Sequence, residues 1–209
     1  MSPRTHFSIA RLFQEAGFPP GVVNYVLHRP EDAAIGRHVV QRAGFYLKLV
    51  ILELGGKNFA IVADDADLNK AADQVLFGAF LNSGQICMST DMVLVHRLVE
   101  QDFRALLLKA GKIQDSDPAM LLEDVAQGMD FWSAESFGPL LGLAVYDDEE
   151  DAVQVVNSSL FGLSGAIFSR NHLNALKMAT RLHTGAVHVN SATVHDEATL
   201  PHGGRKESG

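Results

Sequence analysis

The chain is poor in what would cross-link it, carry it into a bilayer or hold it on nucleic acid. It has one cysteine, Cys87. That excludes an intramolecular disulfide and suits a reducing compartment. No apolar run reaches the roughly 20 residues that span a hydrocarbon core. The opening Met1-Ser2-Pro3-Arg4-Thr5-His6 lacks the apolar centre of a signal peptide, so the cytoplasm is the expected location. Basic residues are outnumbered, 17 Lys and Arg against 25 Asp and Glu, for a formal net charge of −8. Phosphate backbones and anionic lipid surfaces both need clustered cations, so no nucleic acid and no membrane partner is expected. No Gly-x-Gly-x-x-Gly or phosphate-loop signature, internal repeat or low-complexity tract is present.

What is there alternates. Residues 5–16 carry apolar side chains at helical spacing, closed by Gly17 and the turn Pro19-Pro20-Gly21. A short strand is predicted over 22–27 and a helix from Ile35. Leu49-Val50-Ile51-Leu52 reads as a buried strand ending at Glu53, and 58–63 as a second strand. Asp65-Ala66-Asp67 supplies N-cap candidates for a helix whose apolar face is Leu68, Ala71, Ala72, Val75, Leu76, Ala79 and Phe80. A strand over 92–95 and a helix over 98–110 follow. Residues 114–130 have no clear period. Beyond them, strands at 142–146, 165–168 and 186–189 alternate with helices at 148–157 and 171–183. This order predicts an α/β fold with a largely parallel sheet.

A few residues have settings that suit chemistry. Cys87 follows Gly84-Gln85-Ile86 on a loop after a helix. A lone cysteine is most often inert and buried. Small and polar flanks, Met88-Ser89-Thr90, instead leave backbone N–H groups free to favour a thiolate or hold an oxyanion. Glu53 is either a solvated strand-end carboxylate or, at the carboxyl end of a sheet strand where ligands collect, a partly buried base with a raised pKa. Glu135, taken alone, marks a turn before a strand. The histidines, His188, His195 and His202 among them, show no metal-ligand spacing, and no metal is expected.

Five segments, in order, resemble the aldehyde dehydrogenase superfamily. Leu52-Glu53-Leu54-Gly55-Gly56-Lys57 is similar to its general-base motif. Phe80-Leu81-Asn82-Ser83-Gly84-Gln85-Ile86-Cys87 is similar to its nucleophile motif. Glu135-Ser136-Phe137-Gly138-Pro139 resembles its contact with the nicotinamide ribose. Asn157–Ser164 and Pro201–Gly209 resemble its C-terminal signatures. The resemblance implies a catalytic domain of that type over 54–209 and a remnant of a Rossmann-type cofactor domain over 1–53. It implies Cys87 as nucleophile, Glu53 as general base, and Glu135, Phe137, Leu54 and Gly55 as cofactor contacts. NAD is the implied cofactor, with NADP compatible. The implied reaction oxidises a small-molecule aldehyde to its acid through a cysteine thiohemiacetal and thioester. Thr193-Val194-His195-Asp196-Glu197 leans toward members that act on aromatic aldehydes. Two alternatives stand beside this reading: a catalytically inactive remnant, and a thiol esterase that needs no cofactor.

The chain also departs from the family pattern. It starts about where the second half of the cofactor domain would be. A strand and turn against the cofactor pyrophosphate are missing between Ala34 and Ile35. A further segment is missing near 115–119, and the C-terminal strand that joins subunits lies beyond Gly209. A parallel sheet short of strands exposes backbone edges and apolar faces, so marginal stability and weak dinucleotide binding are expected.

Overall fold

A computed structural model describes residues 3–23, 35–111, 120–197, 199–200 and 202–209. Contacts divide the chain into two units, 1–48 and 49–209.

In the first unit, α1 (Pro3–Glu15) and α2 (Ile35–Phe45) are the helices that the apolar spacing predicts. Gly17 and Gly21 turn the chain after α1 with φ of +84° and +87°. The rings of Phe13 and Phe18 meet edge to face at 5.2 Å across that turn. The strand expected over 22–27 is not found at Val22 and Val23, which lie in a bend, and its remainder is outside the described residues.

The second unit is built on six parallel strands: β1 (Asn58–Val62), β2 (Thr90–His96), β3 (Met120–Leu122), β4 (Leu140–Tyr146), β6 (Ser164–Phe168) and β7 (Ala186–Val189). Their order is β3-β4-β2-β1-β6-β7. β5 (Phe161–Gly162) pairs with β8 (Arg205–Lys206) in a separate antiparallel ribbon. The expected strands at 58–63, 92–95, 142–146, 165–168 and 186–189 all belong to the parallel sheet.

Alternation along each strand sorts side chains between two cores. Ala60, Val62, Val93, Val95, Leu141, Leu143, Ala166 and Phe168 pack on one face against α3 (Leu68–Phe80) and α4 (Glu100–Gly111). Phe59, Ile61, Met92, Leu94, Ala144, Tyr146 and Ile167 pack on the other. That second face is covered by Trp132 of α5 (Asp130–Ser133) and by α6 (Glu149–Ser158) and α7 (His172–Ala179). The helix starts are capped as the sequence indicates. Asp67 Oδ1 accepts from the Lys70 N–H at 3.2 Å, and Asn171 Oδ1 accepts from the Asn174 N–H at 3.1 Å.

One expected strand is absent. Residues 48–57 form no strand, Leu49 and Ile51 are exposed, and Glu53 therefore stands on an irregular segment rather than at a strand end. An apolar run forms a strand only where a neighbouring strand takes its backbone groups. Among the described residues this segment makes one backbone–backbone bond to a distant segment, from the Leu54 N–H to the Ser208 carbonyl at 2.9 Å.

Candidate active site

Helix α3 ends in a sharp change of direction. Asn82, Ser83 and Gly84 all take left-handed conformations, with φ of 55°, 56° and 67°. At Gly84 only glycine is accommodated: a Cβ there would lie 2.1 Å from the Gly138 carbonyl oxygen. The two preceding residues adopt this conformation at a cost that tertiary contacts must offset. The turn delivers Cys87 to the amino end of the sheet, just before β2.

Asn58, the first residue of β1, holds the cysteine loop in place. Its side-chain amide donates to the carbonyls of Cys87 and Ser89, each at 2.8 Å. Its own carbonyl oxygen accepts from the Ser164 N–H at 3.0 Å. One buried side chain thus links β1, the Cys87 loop and β6. Thr193, fully buried, donates to the Met88 carbonyl at 2.7 Å. Its proton being used there, Thr90 donates to Thr193 Oγ1 at 2.8 Å.

Beside this lies a sealed charge pair. Lys57 Nζ stands 3.6 Å from Asp91 Oδ1 and donates to Ser136 Oγ at 3.0 Å, with the Phe131 ring 3.7 Å away. Burial pushes the Lys57 pKa down, and the Asp91 carboxylate opposes that shift. Burial pushes Asp91 up, and Lys57 opposes in turn. The backbone N–H groups of Asn58 and Ser136 also donate to Asp91, each at 3.3 Å.

Glu135 arrives next to this pair. The residue is exposed, and its carboxylate lies over Gly55 and Gly56, accepting from the Gly56 N–H at 3.0 Å. A Cβ on Gly55, whose φ is +98°, would come within 2.8 Å of that carboxylate. Desolvation raises the Glu135 pKa, against the pull of the Gly56 hydrogen bond. Phe137 is exposed at a positive φ of 46°, and Leu54 is exposed beside Glu53.

The structure brings Cys87 and Glu53 together. The Cys87 sulfur, a Glu53 carboxylate oxygen and a ring nitrogen of His202 all lie within 4.8 Å of one another. Cys87 is half-buried, and its thiol pKa is pushed up to about 12, by burial first and then by the neighbouring Glu53 carboxyl group. The N–H groups of Met88 and Cys87 pull the other way, as the small, polar flanks suggest, and are outweighed. Glu53 itself is exposed, not partly buried. The site as a whole gathers at the amino ends of β1, β2, β4 and β6, not at the carboxyl ends where ligands of doubly wound sheets collect.

His202, set aside on sequence spacing, is the residue that reasoning along the chain could not reach. The strand β8 pairs with β5, and the Ser208 carbonyl takes the Leu54 N–H. These bonds clasp the 202–209 segment against the Glu53 segment and so carry His202 to the cleft. Asn58, Lys57, Asp91 and Thr193 were also not singled out. Their signal in the sequence is slight: polar residues at the edges of apolar strands, which the polar-inside rule flags only once burial is known.

The aldehyde dehydrogenase family profile matches residues 31–120 and 116–209. A vanillin dehydrogenase of a Pseudomonas species is 32% identical over 276 residues, covering 100% of this chain and 57% of that protein. A benzaldehyde dehydrogenase named for NAD(+), from Pseudomonas putida, is 30% identical over 266 residues, covering 96% and 54%. The crystal structure of a salicylaldehyde dehydrogenase from Pseudomonas putida complexed with salicylaldehyde superposes with a TM-score of 0.84 at 30% identity, covering 100% of this chain and 57% of that one. The chain thus spans somewhat over half the length of the relatives it matches. An alignment longer than the chain itself means that these relatives carry interior segments with no counterpart here.

Proposed function

The chain belongs to the aldehyde dehydrogenase family, and from that premise we propose that its Cys87–Glu53 cleft oxidises an aldehyde, of the aromatic class, to the carboxylic acid with NAD or NADP. The observation that carries the reading is the approach of the half-buried Cys87 sulfur and a Glu53 carboxylate oxygen to within 4.8 Å.

Cys87 lies beside the Glu53 carboxyl group and burial holds its pKa up, so the resting thiol keeps its proton. Attack on the aldehyde carbon forms the C–S bond and opens the C=O π bond onto oxygen as the thiol proton passes to Glu53, giving the thiohemiacetal as its oxyanion. Glu53 is exposed and returns that proton to solvent. In the hydrolytic half, Glu53 takes a proton from the water that attacks the thioester; the C–S bond breaks and the thiol reforms as the acid leaves. The donor set at Glu135 suits a ribose: among the described residues only its Oε1 takes a hydrogen bond, leaving Oε2 as an acceptor for a hydroxyl. Glu135, with Phe137, Leu54 and Gly55 alongside, would hold the nicotinamide end of the dinucleotide, which when bound supplies the hydride acceptor. The lone thiol, which needs a reducing environment to stay free, supports a cytosolic setting.

A second reading has its own support. Cys87, Glu53 and His202 stand complete within the unit 49–209, so hydrolysis of activated esters through Cys87 needs nothing from a dinucleotide. One experiment separates these readings from an inactive remnant. Purified chain is given benzaldehyde with NAD or NADP, and separately p-nitrophenyl acetate, beside a Cys87→Ser control. Cofactor reduction lost in the control is the expected result. Ester cleavage alone supports the esterase, and no Cys87-dependent turnover of either substrate overturns both.

A further inference from the structure

We propose that Glu53, Cys87 and His202 form a three-ligand site for a borderline-soft divalent cation, zinc. Their donor atoms, one sulfur, one imidazole nitrogen and one carboxylate oxygen, all lie within 4.8 Å of one another. Zinc takes that mixture of donors at about 2.0–2.3 Å, so binding draws the three donor atoms closer together than their present spacing, a movement the exposed Glu53 side chain is free to share. Thiolate and imidazole together select against magnesium and calcium, which prefer oxygen alone.

The state of His202 points the same way. Its Nε2 is buried and has no hydrogen-bond partner. Its Nδ1 faces Asp196 Oδ1 at 3.9 Å. A metal-bound histidine commonly turns its other nitrogen toward a carboxylate, which orients the ring and raises its basicity. Nδ1 toward Asp196 leaves Nε2 as the nitrogen for a ligand. The three residues come from three separate segments: the irregular run before β1, the loop before β2, and the clasp that ends in β8. The arrangement therefore exists only in the folded unit. Three protein ligands leave a fourth tetrahedral position for water.

A cation held there occupies the sulfur lone pair and the carboxylate at once. As an off-switch for oxidation the site rests on the reading of Cys87 as nucleophile. As a binding site it does not, and its test reads binding without aldehyde or dinucleotide.

Cobalt(II) serves as the coloured stand-in for zinc. Titration of the purified chain is expected to give one equivalent bound, with a sulfur-to-cobalt charge-transfer band in the near ultraviolet and the visible bands of a four-coordinate ion, both bleached by zinc. Loss of a direct ligand is expected to weaken binding at least as much as loss of an outer-shell partner, about 10- to 100-fold, in Glu53→Gln and in His202→Phe, and to abolish the charge-transfer band in Cys87→Ser. Circular dichroism confirms that each variant keeps its fold. A second measurement uses the unaltered chain. Cys87 is the only cysteine, so iodoacetamide reports on it alone; zinc is expected to slow alkylation, and a chelator to restore it. No charge-transfer band, undiminished binding by a folded His202→Phe variant, or alkylation indifferent to zinc would each overturn the proposal.

Discussion

Lys57 Nζ stands 3.6 Å from Asp91 Oδ1, the lysine side chain fully sealed from solvent and the aspartate 7% exposed. Among the described residues no other ion pair is so enclosed. Lys57 immediately precedes β1 and Asp91 lies at the start of β2, while the Ser136 N–H and hydroxyl meet them from the Glu135 segment. Three loops that carry Glu53, Cys87 and Glu135 are thereby tied to one buried ion pair. Such a pair adds little to stability when intact, but is costly to break, because the surviving charge has nowhere to go.

Replacing Lys57 with methionine is therefore expected to destabilise the unit by about 3–5 kcal/mol, measured by urea unfolding. The deficit is expected to narrow as pH falls. Burial already raises the Asp91 pKa, and loss of Lys57 removes the cation that opposes this rise. With its folded pKa above the unfolded value, Asp91 weakens the native state as pH climbs through that range and spares it once protonated, when no countercharge is needed.

Cys87 titrates late, at about 12. The thiolate is the nucleophile, so its alkylation by iodoacetamide in metal-free buffer is expected to rise about tenfold per pH unit from pH 7 to pH 10 without a plateau. In Glu53→Gln the carboxylate that stabilises the thiol is gone, the thiol pKa falls, and alkylation at pH 8 is expected to be faster than in the unaltered chain. Aldehyde or ester turnover by the same variant is expected to fall by about 100-fold or more, because the proposed base is lost. Slower alkylation in Glu53→Gln would count against the hold of the Glu53 carboxyl group on the thiol.

Asn58→Ala leaves the carbonyls of Cys87 and Ser89 and the N–H of Ser164 without their partner. Each buried group left unpaired costs about 1–3 kcal/mol, so a loss of about 3 kcal/mol or more in denaturant unfolding is expected. Hydrogen exchange is expected to rise first at the Ser164 amide and in the Cys87 loop.

The two glycines of the site predict different outcomes. Gly84→Ala drives a Cβ against the backbone of Gly138 in a left-handed conformation, and a loss of about 2 kcal/mol or more is expected, with Cys87 more open to alkylation. Gly55→Ala meets only the movable tip of Glu135. Its φ of +98° still strains any side chain, so a loss of about 1–3 kcal/mol is expected, together with a raised KM for dinucleotide, since Glu135 is the group displaced.

Marginal stability is expected of the chain by itself. Leu47, Leu49, Ile51 and Phe45 are 92%, 102%, 76% and 74% exposed. The hydrophobic dye ANS is expected to bind the native chain, and light scattering to rise with concentration; neither occurring would show that these side chains find cover.

Much of the fold was legible along the chain because it is written in local periods. The 3.6-residue spacing in Leu68–Phe80 and the apolar runs over 58–62, 92–95 and 165–168 report burial directly, and Asp67 and Asn171 report helix starts through a side-chain hydrogen bond three residues long. Leu49–Leu52 shows the limit. Its composition matches β1, yet a strand needs a neighbour, and pairing is not a local property.

Cys87 and Glu53 were likewise legible, as members of motifs, and so were Glu135, Phe137 and Gly55. His202 was not, and neither was the burial of Lys57 and Asp91. By itself the sequence determined most of the parallel strands, the helices that flank them and the family the chain joins, because these depend on residue type and on spacing over a few positions. Only the tertiary structure decided that the site lies at the amino ends of the strands, that Glu53 is exposed, and that His202 meets it from 149 positions away. Those outcomes depend on which distant backbone groups pair, and hydrogen bonds such as that between Leu54 and Ser208 leave no local trace in the residues that make them.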